Sequence, residues 1–282
     1  MRTRFAPSPT GLLHLGHAYS ALVAWQHAQQ NDMEFLLRIE DIDQTRSRTE
    51  FETAIFDDLI WLGISWPQPV MRQSERLLAY QAALDFLINK GLCYPCRCTR
   101  RDITLALGAP QEGVSLGPDG PIYPGTCRDR SMNERDETDA IRLNIRAAIQ
   151  MLDRDTDRLE FIEHGSGNPV KHTLTPSKLI AEFGDVVLAR RDIGTSYHLA
   201  VVVDDAAQNI SHVTRGNDMF DATKIHCLLQ ALLGLPVPEY YHHQLIRDQN
   251  GKRLAKRDDA RAIRKYRLDG SSPADIQKLV GL

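Results

Sequence analysis

The first forty or so residues constrain this chain more than anything after them. Arg2–Phe5 suits a short strand. "APSPTGLLHLGH" follows, with two prolines, two glycines and two histidines in residues 6–17. Proline fixes backbone shape, and glycine permits close approach of a ligand to the chain. Ala18–Gln29 then carries Leu22, Trp25 and Ala28 at helical spacing, and Asn31-Asp32 breaks the pattern. "EFLLRIED" reads as a buried strand. Strand, loop, helix and strand in this order form a βαβ unit, which implies a parallel sheet. Ligands of such sheets bind at the carboxyl ends of the strands. The Pro/Gly loop and the acids of "RIEDID" both occupy that end.

The 282 residues suit one large domain or two modest ones, ample for a core. The net charge of −3 excludes a generic nucleic-acid binder and confines any such contact to a local patch. Leu245–Leu282 supplies one, with ten Lys/Arg against five Asp/Glu. No apolar run approaches the ~18–20 residues that span a bilayer, and no secretory segment precedes the first strand, so the expected location is cytoplasmic, away from membranes. Of five cysteines, Cys93, Cys96, Cys98 and Cys127 cluster and Cys227 stands alone. An odd count in such a chain argues against a disulfide framework and leaves metal binding open.

"RTEFETAIFDDLIWLGI" and "SERLLAYQAALDFLINKGL" predict amphipathic helices. Residues 104–136 are rich in Gly and Pro without periodicity, an irregular insertion flanked by cysteines. "DRLEFIEHGSG", "FGDVVLARRDI", "ISHVTRG" and "YHHQLI" predict strands. "SYHLAVVVDDAAQ" is ambiguous, since its valines suit a strand and its end suits a helix. "DMFDATKIHCLLQALLG" predicts a helix ending at Gly234, and "SPADIQKLVGL" a capped helix after the basic loop "RDQNGKRLAKRDDA".

Three constellations carry chemistry. In "HLGH", His14 and His17 lie on one side of a helix start, where free N–H groups and the dipole favour phosphate; taken alone, such a pair is more often surface or capping residues. In "GKRLAKRDDA", Lys252, Arg253, Lys256 and Arg257 crowd a loop that can close on polyphosphate, or can be an exposed basic turn. Cys96, Cys98 and Cys127 offer three thiolates where a structural zinc takes four ligands. Cys93 is one candidate for the fourth.

"RFAPSPTGLLHLGHA", "RIEDID", "HVTRGND" and "NGKRLAKRDDA", in this order across nearly the whole chain, resemble the class I aminoacyl-tRNA synthetases, and within them the glutamyl-tRNA synthetase branch. Two departures are Leu15, where isoleucine is usual, and Ala255, where serine is usual. The resemblance implies an α/β fold, a Rossmann-type parallel-sheet catalytic domain with a metal-bearing insertion. It implies that the chain is a ligase that activates glutamate with ATP and transfers it to RNA. His14, Gly16, His17 and Lys256 would bind ATP, with His14, His17 and Lys256 catalytic. Arg4, Phe5, Ala6, Pro7, Ser8, Glu40, Tyr197 and Arg215 would bind glutamate, Arg215 meeting a carboxylate and Glu40 the ammonium. The same resemblance offers Tyr123 beside Cys96, Cys98 and Cys127 as the fourth ligand of one structural zinc; magnesium is expected with ATP.

The expected division is a catalytic domain at 1–95 and 185–250, an insertion at 96–184 and a lysine-loop segment with a basic tail at 251–282. Only about 25 residues follow Arg257, too few for a domain with its own core. Full glutamyl-tRNA synthetases continue into an anticodon-binding region, and the expectation is that this chain has none. In length, cysteine–tyrosine pattern and lysine loop it resembles the short paralogues of the branch, whose reaction places glutamate on queuosine, a modified base at the first anticodon position of tRNA(Asp). The expected partners are therefore L-glutamate, ATP and the anticodon stem-loop of that tRNA, with the protein acting as a monomer. A truncated enzyme charging the 3′ end of tRNA(Glu), and a non-catalytic synthetase-like binding module, are the alternatives.

Overall fold

The structure, a computed structural model, describes residues 1–107, 116–117, 120–152, 159–165, 167–246 and 261–282. The chain opens with β1 (Arg2–Phe5), α1 (Leu15–Gln30), β2 (Glu34–Ile39), α2 (Thr49–Trp61), β3 (Met71–Arg72) and α3 (Leu77–Asn89). β1 runs parallel to β2, with Arg2 opposite Glu34 and Phe5 opposite Leu37, and β2 runs parallel to β3. The expected βαβ unit is therefore present. Its helix begins at Leu15 because His14 caps it.

β4 (Cys93–Cys96), α4 (Arg100–Ala106), β5 (Leu116–Gly117), β6 (Gly120–Pro121), β7 (Ala140–Leu143), α5 (Ile145–Leu152), β8 (Glu160–Glu163), β9 (Val170–Thr173), α6 (Pro176–Glu182) and β10 (Val187–Ala189) follow. β7 is the centre of a small antiparallel sheet between β4 and β10. The last elements are α7 (Tyr197–Ala207), β11 (His212–Gly216), α8 (Phe220–Leu233), β12 (Glu239–His243), α9 (Ile263–Leu268) and α10 (Pro273–Val280). The ambiguous valine run is thus the helix α7, started by Ser196, whose hydroxyl accepts the Leu199 N–H. Gly234 ends α8 in the left-handed conformation, as a C-terminal glycine does without strain.

β11 is parallel to β12, β12 to β8, and β9 closes that edge antiparallel. Ser211 joins this sheet to β1, donating its N–H to the Arg2 carbonyl and accepting the Arg2 N–H on its hydroxyl. The ladders cross the expected domain borders. β8 enters the main sheet, and β7 binds strands on both sides of the segment 96–184.

Two apolar cores result. One packs α1 and α2 against β1 and β2, and takes in Ile263, Ile276 and Val280 from the two C-terminal helices. The other packs α3, α7 and α8 with Ile141, Leu143, Phe161 and Leu188. No helix among the described residues is long and apolar enough to cross a membrane.

Two consecutive acids fix α7 between these layers. Successive helical residues point about 100° apart, so Asp204 faces α3 while Asp205 faces the strands. The fully buried Asp204 accepts from Gln73 Nε2 at 2.9 Å, Arg76 Nε at 2.6 Å and Tyr80 Oη at 2.7 Å. Removing one carboxylate strands three donors, two of them buried. Asp204→Ala should therefore cost about 3 kcal/mol and lower the melting temperature by roughly 5–10 °C in a thermal scan, with Asp204→Asn milder.

Candidate active site and metal centre

The parallel strands deliver their carboxyl ends to one cleft. Arg4 leaves β1, Glu40 follows β2, Arg215 lies near the end of β11, and Tyr197 opens α7. Arg4 is buried and grips Asp205 with both arms, Nε to Oδ1 at 3.0 Å and Nη2 to Oδ2 at 3.3 Å. Arg38, fully buried on β2, donates Nη1 to Asp205 at 2.7 Å and Nη2 to Glu40 at 3.1 Å. Burial alone would raise the Asp205 carboxyl, but Arg4 and Arg38 outweigh it and hold it below its ordinary range. Glu40 is balanced differently, for burial raises its pKa against the pull of Arg38 and Arg4. A cationic group beside Glu40 would favour its charged form.

Arg215 has another kind of surrounding. Its Nε donates to His242 Nε2 at 3.2 Å, Nη1 to Tyr197 Oη at 3.3 Å and Nη2 to Thr223 Oγ1 at 2.6 Å, and Nη1 lies 3.4 Å from His226 Nδ1. All four partners are uncharged. Burial, then Arg215 itself, hold the His226 pKa well below its ordinary value, and burial lowers His242 despite Glu163. Arg4 and Arg38 thus pair directly with Asp205 and Glu40, whereas Arg215 touches no carboxylate among the described residues, the nearest through its hydrogen bonds being Glu163 beyond His242. Burial raises the Tyr197 hydroxyl pKa, and Arg215, Glu40, Arg4 and Asp205 all act on it, so these side chains share one space.

The loop between β1 and α1 closes the cleft. Glu40 N–H donates to the Pro7 carbonyl and Arg48 N–H to that of Pro9, tying the loop to β2 and α2. Phe5 turns its ring into the α1 core. Pro7 is buried, Ala6 half-buried and Ser8 exposed. His14 Nδ1 accepts the Gly16 N–H at 3.1 Å, and His17 Nδ1 accepts the His14 N–H at 3.2 Å. The rings stack 3.8 Å apart. With both Nδ1 atoms accepting, the ring protons sit on Nε2, which makes each Nε2 a donor suited to phosphate oxygen. The pair thus caps the helix at its positive end.

Lys256 lies outside the described residues, as do Lys252, Arg253, Ala255 and Arg257. Of the described residues on either side, those after the segment meet the histidine loop. Ile246 packs against the α1 core, Ala262 bridges His14, and Ile263 N–H donates to the Leu13 carbonyl at 2.8 Å.

The cysteines form a separate cluster. Cys96, Cys98 and Cys127 hold their sulfurs within 4.8 Å of one another. Tyr123 Oη is 3.4 Å from both Cys96 and Cys98 and accepts the Cys127 N–H at 2.9 Å. Burial opposes ionisation of Cys127, but the Tyr123 hydroxyl and neighbouring donors bring its thiol down to about 7. Cys93 lies on the opposite face of β4, in the main core, where burial pushes its thiol up to about 12. Strand alternation separates it from the cluster. Arg142 covers the Tyr123 ring and donates to Cys96, and Asp185 anchors the arrangement through Tyr94 and Arg128. The cluster can hold a metal.

Residues 1–282 match the family of tRNA synthetases class I (E and Q), catalytic domain. The chain belongs to this family. It shares the family's ligase chemistry, which uses ATP. A curated glutamyl-Q tRNA(Asp) synthetase of Rhodobacter capsulatus is 55% identical over 285 residues, with 100% of both chains covered. One of Nocardia farcinica is 40% identical over 98% of this chain and 82% of its own length. A glutamate tRNA ligase from Elizabethkingia meningosepticum, solved in complex with its amino acid, superposes with a TM-score of 0.74 at 26% identity. This chain covers 60% of that structure's length.

Sequence reading missed Arg38, Asp205, Thr223, His226, His242 and Glu163 in this synthetase. The acid pair "DD" was the available signal for Asp205. His226 offers a test of the cleft's electrostatics. The unfolded chain takes up a proton on this imidazole near pH 6.5, whereas the folded state resists it to lower pH. The stability it contributes is present above about pH 6.5 and is lost as the pH falls through its depressed folded value. Asp58, raised by burial to about 6, and Glu40 act in the opposite sense, so a variant must isolate the histidine. In thermal or urea unfolding below pH 6.5, His226→Gln should shallow the dependence of stability on pH by up to about 1.4 kcal/mol per pH unit.

Proposed function

We propose that this synthetase activates L-glutamate with ATP, entering as its magnesium complex, to give glutamyl-adenylate and pyrophosphate. It then transfers the glutamyl group to the cyclopentenediol of queuosine at the first anticodon position of tRNA(Asp). The observation that carries the reading is the 55% identity to the Rhodobacter capsulatus glutamyl-Q tRNA(Asp) synthetase along the full length of both chains.

The geometry agrees with glutamate as substrate. The amino acid carries two carboxylates and one ammonium, a net charge of −1, and Arg215 is a guanidinium of the cleft held directly by neutral groups alone. Glu40 takes the ammonium, and Arg215 with Tyr197 takes the side-chain carboxylate. Phe5, Ala6, Pro7 and Ser8 line the backbone end, and Arg4 contributes its already paired guanidinium. The α-carboxylate attacks the α-phosphorus of ATP, and the bond to the β-phosphate oxygen breaks. His14, Gly16 and His17 hold the phosphates, and Lys256 meets the charge that grows on the departing pyrophosphate. A queuosine hydroxyl then attacks the activated carbonyl, an ester forms and AMP leaves. The Lys/Arg-rich segment 245–282 and residues 96–184 supply phosphate contacts, so binding weakens with salt.

The same reading assigns one structural zinc to Cys96, Cys98, Cys127 and Tyr123. Tetrahedral zinc at about 2.3 Å from sulfur and about 2.0 Å from oxygen sets S···S edges of about 3.8 Å and S···O edges of about 3.5 Å. The distances of 3.5 Å between Cys98 and Cys127 and 3.4 Å from Tyr123 to two sulfurs fit that frame. When bound, the metal staples chain that has only a small core of its own. Elemental analysis should find about one zinc per chain, reduced in Cys98→Ser with a lower melting temperature; metal-free native protein refutes the site.

Radiolabelled glutamate tests the reaction. It should load onto tRNA(Asp) bearing queuosine but not onto the unmodified transcript, and adenylate should form without RNA in ATP–pyrophosphate exchange. Lys256→Ala should slow exchange by roughly two orders of magnitude. Efficient charging of unmodified tRNA(Glu) at its 3′ end would replace this reading with that of a truncated synthetase. Absence of exchange would leave only a binding module.

A further inference from the structure

We propose that Glu163 is a positioning residue for the substrate's side-chain carboxylate, acting on Arg215 through His242; this rests on the reading of Arg215 as the group that takes that carboxylate. Glu163 arrives from outside the expected catalytic halves, at the end of β8 opposite Tyr240 on β12. It is buried. Its Oε1 accepts two backbone N–H groups, from His242 at 2.9 Å and from Gly165 at 2.7 Å. Its Oε2 is left to His242 Nδ1. Glycine at 165 permits this fold-back. A Cβ there would sit 2.5 Å from the His242 carbonyl oxygen and 2.7 Å from Glu163 Oε1.

The carboxylate settles which nitrogen of His242 carries the proton. An ionised carboxylate only accepts, and the hydrogen bonds from His242 keep Glu163 ionised despite its burial. Nδ1 must therefore donate to Oε2, which leaves Nε2 as a lone-pair acceptor. Nε2 faces the Arg215 Nε–H at 3.2 Å and the Thr223 hydroxyl at 3.1 Å, both able to donate to it. The opposite tautomer would set an N–H against an N–H. The Tyr240 ring lies parallel to that of His242, and Phe220 packs edge-on, so the imidazole cannot swing aside. Glu163 thus orients the guanidinium without neutralising it, since an imidazole separates the two charges. Thr223 fixes the other arm at 2.6 Å. Arg215 is held by neutral acceptors on the protein side and keeps its charge for the ligand.

Glu163→Gln keeps the shape and removes the acceptor-only character, because an amide can also donate. In ATP–pyrophosphate exchange with the full-length chain, Glu163→Gln should raise the glutamate KM roughly tenfold or more, with kcat within about threefold. Nitrogen-15 NMR of labelled histidine should show His242 as the Nδ1–H tautomer in the native protein and as a mixture in the variant. Arg215→Lys run alongside separates the two levels. If Arg215→Lys raises KM and Glu163→Gln does not, or lowers kcat alone, the positioning role is wrong while the pocket stands. If neither alters KM, the pocket reading itself fails. Should the variant not fold, the native spectrum decides: an Nε2–H tautomer at His242 overturns the proposal.

Discussion

The carboxylate of Asp205 is the contact on which the rest of this cleft depends. It lies on α7 and is shared by Arg4 of β1 and Arg38 of β2, all three almost wholly buried. Two guanidinium groups on adjacent parallel strands would repel each other in so dry a place, and the single acid turns that repulsion into a clamp between helix and sheet. Burying an unpaired charge costs several kcal/mol, so the network stands or falls as a unit. Because Arg38 also reaches Glu40, the same clamp positions an acid whose ionisation burial disfavours. The cleft is left with a largely buried carboxylate, Glu40, at one side and an arginine held by neutral groups, Arg215, at the other. A ligand with an ammonium and an extra carboxylate completes it. A zwitterion with a neutral side chain does not, which is a physical basis for preferring glutamate over glutamine.

The phosphate end is built by different means. His14 and His17 consume their Nδ1 atoms in capping α1, and the same hydrogen bonds dictate where the ring protons lie. The C-terminal helices then lean on α1, with Ile263, Ile276 and Val280 buried in its core. Ala262 brings one described flank of the lysine-bearing segment to the histidine loop, and Ile246 on the other flank packs against the α1 core. Packing of the tail is thus tied to the site where ATP is proposed to bind.

Much of this was readable in the sequence, and the failures have identifiable causes. The opening βαβ unit was plain because prolines, glycines and helical spacing agree there. The start of α1 was placed three residues late, since histidine is not an ordinary capping residue. α7 was undecided because valines favour strands by propensity, and only burial on several sides makes them helical. The pairing of β8 with β12 joins residues about 80 positions apart and leaves no local signal, which is why 96–184 read as separate from the halves around it. Glu163, Thr223, His226 and His242 sit among other polar residues of their elements, without a spacing that marks them. The choice between Cys93 and Tyr123 was, in contrast, within reach. On a strand, positions 93 and 96 point to opposite faces, and only one of them can join Cys98.

Arg4 is paired with Asp205, whereas Arg215 is held by neutral groups and left for the ligand. The most direct measurement is a crystal structure with a non-hydrolysable glutamyl-adenylate analogue. The side-chain carboxylate should lie within hydrogen-bonding distance of Arg215 and Tyr197, with the ammonium on Glu40 and the Arg4–Asp205 pair unbroken. A side-chain carboxylate on Arg4, with Asp205 released and Arg215 still holding only its four neutral partners, would contradict this.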